Sequence, residues 1–290
     1  MSSPAAPQFD ALLPVEMAIR AEEIGVKKAH LDVASMFALA VLAGAFIALG
    51  AIFATTVLAG SSGTLPYGVA RLLAGLVFSL GLILVLVGGA ELFTGNNLIV
   101  MAWASGRVTT GVLLKNWLVV YVGNFMGSFG TALLVFLSGQ YAFGKGAVGA
   151  AALATAHVKV GFGFVEAVSL GTLCNALVCL AVWLTFSART TTDRILATVP
   201  PIAAFVAAGF EHSVANMYFV PMGVLIRSFA PAGFWADLGR TAADFSELTW
   251  GRFLWSNLLP VTIGNIIGGA VLVGAVYWFV YLRKRPATAA

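Results

Sequence analysis

Six stretches of the chain are apolar for long enough to cross a bilayer: residues 34–58, 70–104, 112–138, 163–187, 195–226 and 257–282. About 20 apolar residues cover a hydrocarbon core roughly 30 Å thick, so each stretch is predicted to be a membrane-spanning helix. The second and fifth are over-long, and each carries a polar cluster where burial is most costly. These clusters read "GGAELFTGNN" from Gly88 and "AGFEHSVANM" from Ala208. Backbone freed by a helix break inside lipid must be bonded by protein or by water in a cavity. Spans 2 and 5 are therefore predicted to be broken. In span 2 glycines provide the bend, with Glu91, Thr94, Asn96 and Asn97 as partners; in span 5 the polar residues are Glu211, His212, Ser213 and Asn216.

The pattern repeats. Span 3 carries "YVGNFMGSFG" from Tyr121 and span 6 carries "TIGNIIGGA" from Thr262, which share G-N-x-x-G at Gly123–Gly127 and Gly264–Gly268. Alone, this is the small-residue spacing that lets membrane helices approach closely. Together with the interruptions in spans 2 and 5 it points to a 3+3 duplication. Three spans per copy make the copies inverted, so that broken helices meet near the midplane. Each break exposes a new helix N-terminus, near Gly95 and near Ser213, whose N–H groups and positive dipole end favour an anion.

Residues 1–32 have no apolar core followed by a small-residue cleavage site, so the N-terminus is expected to stay on the side of synthesis. In "LLPVEMAIRAEEIGVKKAH" the apolar Leu13, Met17 and Ile24 share one helical face among charges. This reads as a short amphipathic helix, either lying against the bundle or gating it. Ten of the sixteen basic residues (Arg20, Lys27, Lys28, Arg107, Lys115, Arg189, Arg194, Arg283, Lys284 and Arg285) fall at the termini and in the 2–3 and 4–5 loops. The positive-inside rule then puts both termini in the cytoplasm. The organisation is a cytoplasmic segment 1–32, a six-span domain 33–285 and a tail 286–290.

Composition agrees: 60% of residues are hydrophobic and 10% charged, far from a soluble domain. The net charge of +4 is explained by the loop bias, and "RKR" near the end lacks the aromatic interleaving of a nucleic-acid site. Cys174 and Cys179 lie on different faces of one span and suggest packing rather than a disulfide or a metal. No cofactor is expected.

Five blocks occur in order: "GGAELFTGNNLIVMAWASGR", "KNWLVVYVGNFMGS", "EAVSLGTLCNALVCLAVW", "GFEHSVANMYFVPMGV" and "NLLPVTIGNIIGG". They resemble the formate–nitrite transporter family, specifically its formate channels, over about residues 10–285. One departure is Gly95-Asn96-Asn97, where formate channels often carry Ser- and Thr-like residues. The resemblance implies an all-α, aquaporin-like six-span protomer, five of which form a ring with a pore in each. It implies conduction of small monovalent anions: formate, nitrite, hydrosulfide, and more weakly acetate or lactate. By position it makes His212 the central histidine, Thr94 the opposing loop threonine, Asn175 and Asn265 pore asparagines, and Lys159 an outer-vestibule cation. It places a cytoplasmic constriction at Leu82, Leu92 and Phe93 and a periplasmic one at Phe78 and Phe205.

Each residue also has a plainer reading. His212 either satisfies loop carbonyls or exchanges protons and offers an N–H donor; an ionisable group at membrane depth favours function. Thr94 is a helix N-cap, a donor, or both. Glu91 and Glu211 are expected to support the loops, since a free carboxylate would repel an anion. Glu166 is read as a buried cap or a partner of Lys159. Asn175 and Asn265 either bond neighbouring helices or line the path. Lys159, at the outer edge of span 4, is a snorkelling anchor or an anion-concentrating charge. His30 and His157 are expected in exposed loops.

The leading reading is a formate channel, proton-linked and bidirectional, in the inner membrane. Nitrite or hydrosulfide is the alternative, and a neutral-solute channel is disfavoured by the absence of paired Asn-Pro-Ala motifs. An enzyme is disfavoured because "FEHS" offers one histidine and no second metal ligand at helical spacing.

Overall fold

A computed structural model describes residues 11–284 and is helical throughout its regular structure. The proposed tail 286–290 lies outside the described residues. The chain opens with α1 (Pro14–Ala29), started by Pro14 in its first turn and by Glu16, which accepts the Leu13 N–H at 2.8 Å. Span 1 is α2 (Val33–Leu58), capped by Asp32, whose carboxylate accepts the Ser35 N–H at 2.9 Å. Span 2 is broken, as its sequence predicts. Its first half is α3 (Tyr67–Gly88), and its second half is α4 (Phe93–Asn96), a 3₁₀ turn at Asn97–Ile99, and α5 (Val100–Ala104). Span 3 is α6 (Thr110–Leu137).

Residues 139–162, expected to be a loop, contain a helix instead: α7 (Ala147–Gly161), which packs against α10. It is too short and too rich in alanine to read as a span, which is why apolar length alone passed over it. Span 4 is α8 (Phe164–Ser187), and span 5 is α9 (Thr191–Ala207) followed by α10 (Ser213–Phe229). A short helix α11 (Ala232–Leu238) turns off α10 at 108°. Span 6 runs through α12 (Trp250–Arg252), π-helical backbone at Phe253–Leu258, α13 (Leu259–Ile266), a second π-helical stretch at Ile267–Ala275, and α14 (Val276–Tyr281). Among the described residues, five helical runs are apolar and long enough to span alone. Counting the bent α10–α11 pair as one span gives six.

The two breaks are built alike. Each outer helix is closed by a glycine in the left-handed region, Gly89 at φ 80° and Gly209 at φ 77°, a conformation that penalises any side chain. Three residues outside any helix follow in each break, 90–92 and 210–212, and one backbone bond ties each segment to a neighbouring helix: Glu91 N–H to Leu39 O at 3.2 Å and Glu211 N–H to Leu170 O at 3.3 Å.

Helix pairing obeys the same duplication. α2 packs on α6 and α3, α8 packs on α13 and α9, and α1 lies on α5 as α7 lies on α10. The repeat thus extends beyond three spans to include the flanking helices α1 and α7. The glycines of G-N-x-x-G have the packing role that their spacing suggests: a Cβ on Gly127 would run into Val41 O, and one on Gly268 into Thr172 O. Much of the outer surface is apolar, with Leu118, Leu134, Leu137, Val165, Phe229 and Trp255 all strongly exposed. Such a surface suits lipid and subunit contact rather than water.

Candidate functional site: two brackets and a central contact

Sequence places a lysine, a glutamate and two asparagines in each half, and the fold closes them into two matching brackets. In the first, Lys28 Nζ donates to Glu91 Oε1 at 2.8 Å, and Asn96 Nδ2 donates to Glu91 Oε2 at 2.7 Å and to Asn116 Oδ1 at 3.0 Å. Asn116 Nδ2 returns to Lys28 O at 3.1 Å. In the second, Lys159 Nζ donates to Glu211 Oε1 at 2.7 Å, and Asn216 Nδ2 donates to Glu211 Oε2 at 2.7 Å and to Asn257 Oδ1 at 2.8 Å. Asn257 Nδ2 returns to Lys159 O at 2.7 Å. Each carboxylate is thereby neutralised and fully bonded, the condition under which a buried charge is tolerated. This is the loop support expected of Glu91 and Glu211.

Asparagines of G-N-x-x-G complete each break. Asn124 Oδ1 accepts the Phe93 N–H at 2.9 Å while its Nδ2 donates to Ala40 O and Glu91 O. Asn265 Oδ1 accepts the Ser213 N–H at 2.9 Å while its Nδ2 donates to Gly171 O and Glu211 O. A single motif thus fixes helix approach through its glycines and caps a broken helix through its asparagine. Asn175 Nδ2 reaches Asn265 O at 2.7 Å, Asn97 Oδ1 at 3.0 Å and Thr94 O at 3.3 Å. Both Asn175 and Asn265 are fully buried and bond neighbouring elements in this state.

Between the brackets, Thr94 Oγ1 and His212 Nε2 meet at 3.0 Å. His212 is also the N-cap of α10, its Nδ1 accepting the Ala215 N–H at 3.1 Å. With Nδ1 acting as acceptor, the neutral ring carries its proton on Nε2 and donates it to Thr94 Oγ1. Thr94 itself does not cap: α4 starts at Phe93, two residues earlier than the sequence suggests, with Leu92 as its N-cap residue. The first N–H of this helix, that of Phe93, is taken by Asn124.

Two cavities approach this contact from opposite ends. One, of about 230 Å³ beside α1, reaches Leu82 and Leu92. The other, of about 50 Å³ beside α7, is lined by Phe78, Phe205, His212 and Lys159. Phe78 and Phe205 meet edge to face at 5.8 Å, and the Phe205 ring stacks on His212 at 6.0 Å. Phe93 lies instead against Tyr121 and Trp117, with centroids at 4.9 and 6.0 Å. Four of the five expected constriction residues therefore border a cavity.

Lys159 departs from its expected place. It sits in the last turn of α7, buried and bound to Glu211, rather than at the exposed edge of span 4. Glu166 is not its partner and is exposed; it accepts the Gly163 N–H at 3.3 Å as a cap of α8. His157 lies on α7, not in a loop, and is exposed. Residues that sequence reasoning passed over are Lys28, Asn116, Asn124 and Asn257. Their signal was present: extending the repeat upstream sets "VKKA" from Val26 beside "HVKV" from His157 and brings Lys28 into register with Lys159.

An all-helical membrane protein with two broken spans, each ending at a shared polar contact between opposed cavities, has the construction of a channel or transporter. The profile described as Formate/nitrite transporter matches residues 15–279, and the chain belongs to this family. It is 52% identical over 276 residues to "Formate channel FocA" of Escherichia coli (strain K12), covering 95% of this chain and 96% of that protein. It is 43% identical to the "Formate channel FocA" of Haemophilus influenzae, covering 91% and 93%. Among solved structures, a "Pentameric formate channel with formate bound" superposes with a TM-score of 0.83 at 46% identity, covering 87% of this chain and 98% of the other.

Proposed function

We propose that this chain assembles as a homopentamer and that each protomer conducts formate along the path from the α1 cavity, past Leu82 and Leu92, between Thr94 and His212, and out past Phe78 and Phe205. The relatives named as formate channels supply the substrate. The observation that carries the route is the 3.0 Å Thr94–His212 contact standing between two cavities. In this reading the protein is a multi-pass inner-membrane protein with cytoplasmic termini, so the α1 cavity is the cytoplasmic mouth. The apolar walls admit only a small solute, and the Nε2–H of His212 gives a passing carboxylate a donor in exchange for lost water.

Proton linkage through His212 meets a geometric condition. A neutral imidazole cannot protonate formate, because the product would be an imidazolate; the ring must first gain a second proton. That proton can go only to Nδ1, which displaces the Ala215 N–H and uncaps α10. A relay therefore requires the helix end to open, whereas a donor role does not. Flux of formate, nitrite and hydrosulfide into liposomes, measured across a pH series, tests substrate and coupling together. His212→Asn retains a capping side chain but no titrating ring. Formate uptake should then lose its dependence on an inward pH gradient; unchanged pH dependence refutes the relay. Nitrite or hydrosulfide flux well above that of formate refutes the substrate.

A further inference from the structure

The α1 cavity is much larger than its proposed cargo. About 230 Å³ is room for several waters at about 30 Å³ each, whereas formate has three heavy atoms. Its charge is also unbalanced. Arg20, Lys28, Arg194 and Glu91 line it, and Lys28 is neutralised by Glu91. That leaves two guanidinium groups lining one cavity, one from α1 and one from α9. Arg20, on the face of α1 that also carries Ile24 and Lys28 into the cavity, makes one bond, from Nη1 to Phe186 O at 3.2 Å. Arg194, in the first turn of α9, makes no side-chain hydrogen bond or ion pair among the described residues. The opposite mouth differs. There one guanidinium rather than two lines the cavity of about 50 Å³, that of Arg71, which donates to Val206 O. The residue equivalent to Arg20 in the repeat is Ala151, Lys159 is neutralised by Glu211, and a wider cavity of about 850 Å³ adjoins at Arg71.

We infer that the α1 mouth holds a second anion site, for a polyvalent oxyanion too large to pass the Leu82–Leu92 constriction, with Arg20 and Arg194 as its ligands. Two planar forks facing one cavity match the several oxygens of a phosphate-like group, a geometry that guanidinium satisfies with paired N–H bonds. Formate, with one charge, balances only one of the two guanidinium groups, whereas a polyvalent anion balances both. An occupant stands in the path of formate from that mouth alone, so inhibition is one-sided. The blocking role rests on the reading of this cavity as a pore mouth; the binding does not.

The probe is radiolabelled inorganic phosphate, bound at equilibrium to the purified pentamer at fixed chloride and in the absence of formate. Wild type should bind saturably at one phosphate per protomer. Arg20→Gln and Arg194→Gln should each weaken binding about tenfold, and Arg71→Gln, at the other mouth, should leave it unchanged. Native mass confirms assembly, and where one variant fails to assemble the other carries the test. No saturable binding by wild type, or an equal loss in Arg71→Gln, overturns the site. Added phosphatidylglycerol should not compete; displacement by it would make the ligand a lipid headgroup and overturn the soluble-anion assignment. In neutral-lipid liposomes, phosphate should slow formate flux from the α1 side more than chloride at equal ionic strength, and equal slowing overturns the block. Because binding is read without formate, a negative result there leaves the formate assignment standing, and failed formate flux leaves the binding result standing.

Discussion

Set in register, the two breaks read GGAELFTGN from Gly88 and AGFEHSVAN from Ala208. Glu91 falls on Glu211 and Asn96 on Asn216, and four hydrogen bonds of each bracket correspond. They differ in that Lys28 Nζ also donates to Asn96 Oδ1 at 3.1 Å, whereas the equivalent Asn216 Oδ1 has no partner among the described residues and Asn257 Nδ2 instead reaches Glu211 Oε2 at 3.4 Å. Leu92, however, falls on His212, and Thr94 falls on Val214. Each half carries a polar residue where the other carries an apolar one, and these two polar residues face each other at 3.0 Å. The duplicated residues make scaffold; the residues at which the copies diverge make the central contact. Burial separates the halves as well. The Lys159 side chain is 11% exposed and that of Lys28 31%, so one bracket is closed to water and the other borders the wide mouth.

The largest expected effect tests that difference in burial. Glu211→Gln leaves the Lys159 ammonium buried without a countercharge, and breaking a buried pair costs about 3–5 kcal/mol. Glu91→Gln leaves Lys28 within reach of water, and a partly exposed pair is worth about 1 kcal/mol. Thermal unfolding of the solubilised pentamer should rank the two in that order. Equal losses would mean that bond pattern, not burial, sets their worth.

Next, His212→Leu copies the first break into the second. It removes the Ala215 cap, about 1 kcal/mol, and leaves the buried Thr94 hydroxyl short of a partner, at least about 1 kcal/mol more. Stability should fall by about 2 kcal/mol and formate flux should collapse. His212→Asn should recover the capping part alone. A His212→Leu protein as stable as wild type would remove the structural half of the argument.

A smaller effect concerns salt. An exposed lysine at a pore mouth would attract anions over the Debye length of about 8 Å at physiological ionic strength. Lys159 is instead paired at 2.7 Å, and its distant field is largely cancelled by Glu211. Lys159→Ala should therefore lower flux by a factor that is the same at low and high salt, through disruption of the bracket. A deficit that disappears at high salt would restore the electrostatic role.

The smallest effect lies where the repeats begin. α2 is capped from outside by Asp32, and α8 in the reverse sense by Glu166 reaching back to Gly163. The Ser35 N–H holds the Asp32 carboxyl below its ordinary 3.8. A depressed carboxylate contributes stability above the unfolded value and loses it as pH falls through the folded one. Asp32→Asn keeps a capping oxygen without the charge, so it should flatten the decline in thermal stability below about pH 4 relative to wild type. An unchanged acid profile would show that Asp32 contributes nothing there.

The sequence by itself determined the spans, the two breaks and the inverted repeat. Apolar length is a one-dimensional property, and a polar residue inside it is costly enough to mark a break without coordinates. Only the tertiary structure decided which polar groups answer one another. Glu91 meets Lys28 from 63 positions away and Glu211 meets Lys159 from 52, and both lysines come from helices whose composition announced nothing about the pore. Nor could spacing tell that Thr94 would be served by His212 while Asn124 took over the cap of its helix, because a hydrogen bond belongs to whichever partner the packing brings within 3 Å. The glycines of G-N-x-x-G were legible as close-packing residues. The work of the asparagine between them depended on α6 and α13 each standing beside a break, an arrangement set by the helix packing of the whole bundle.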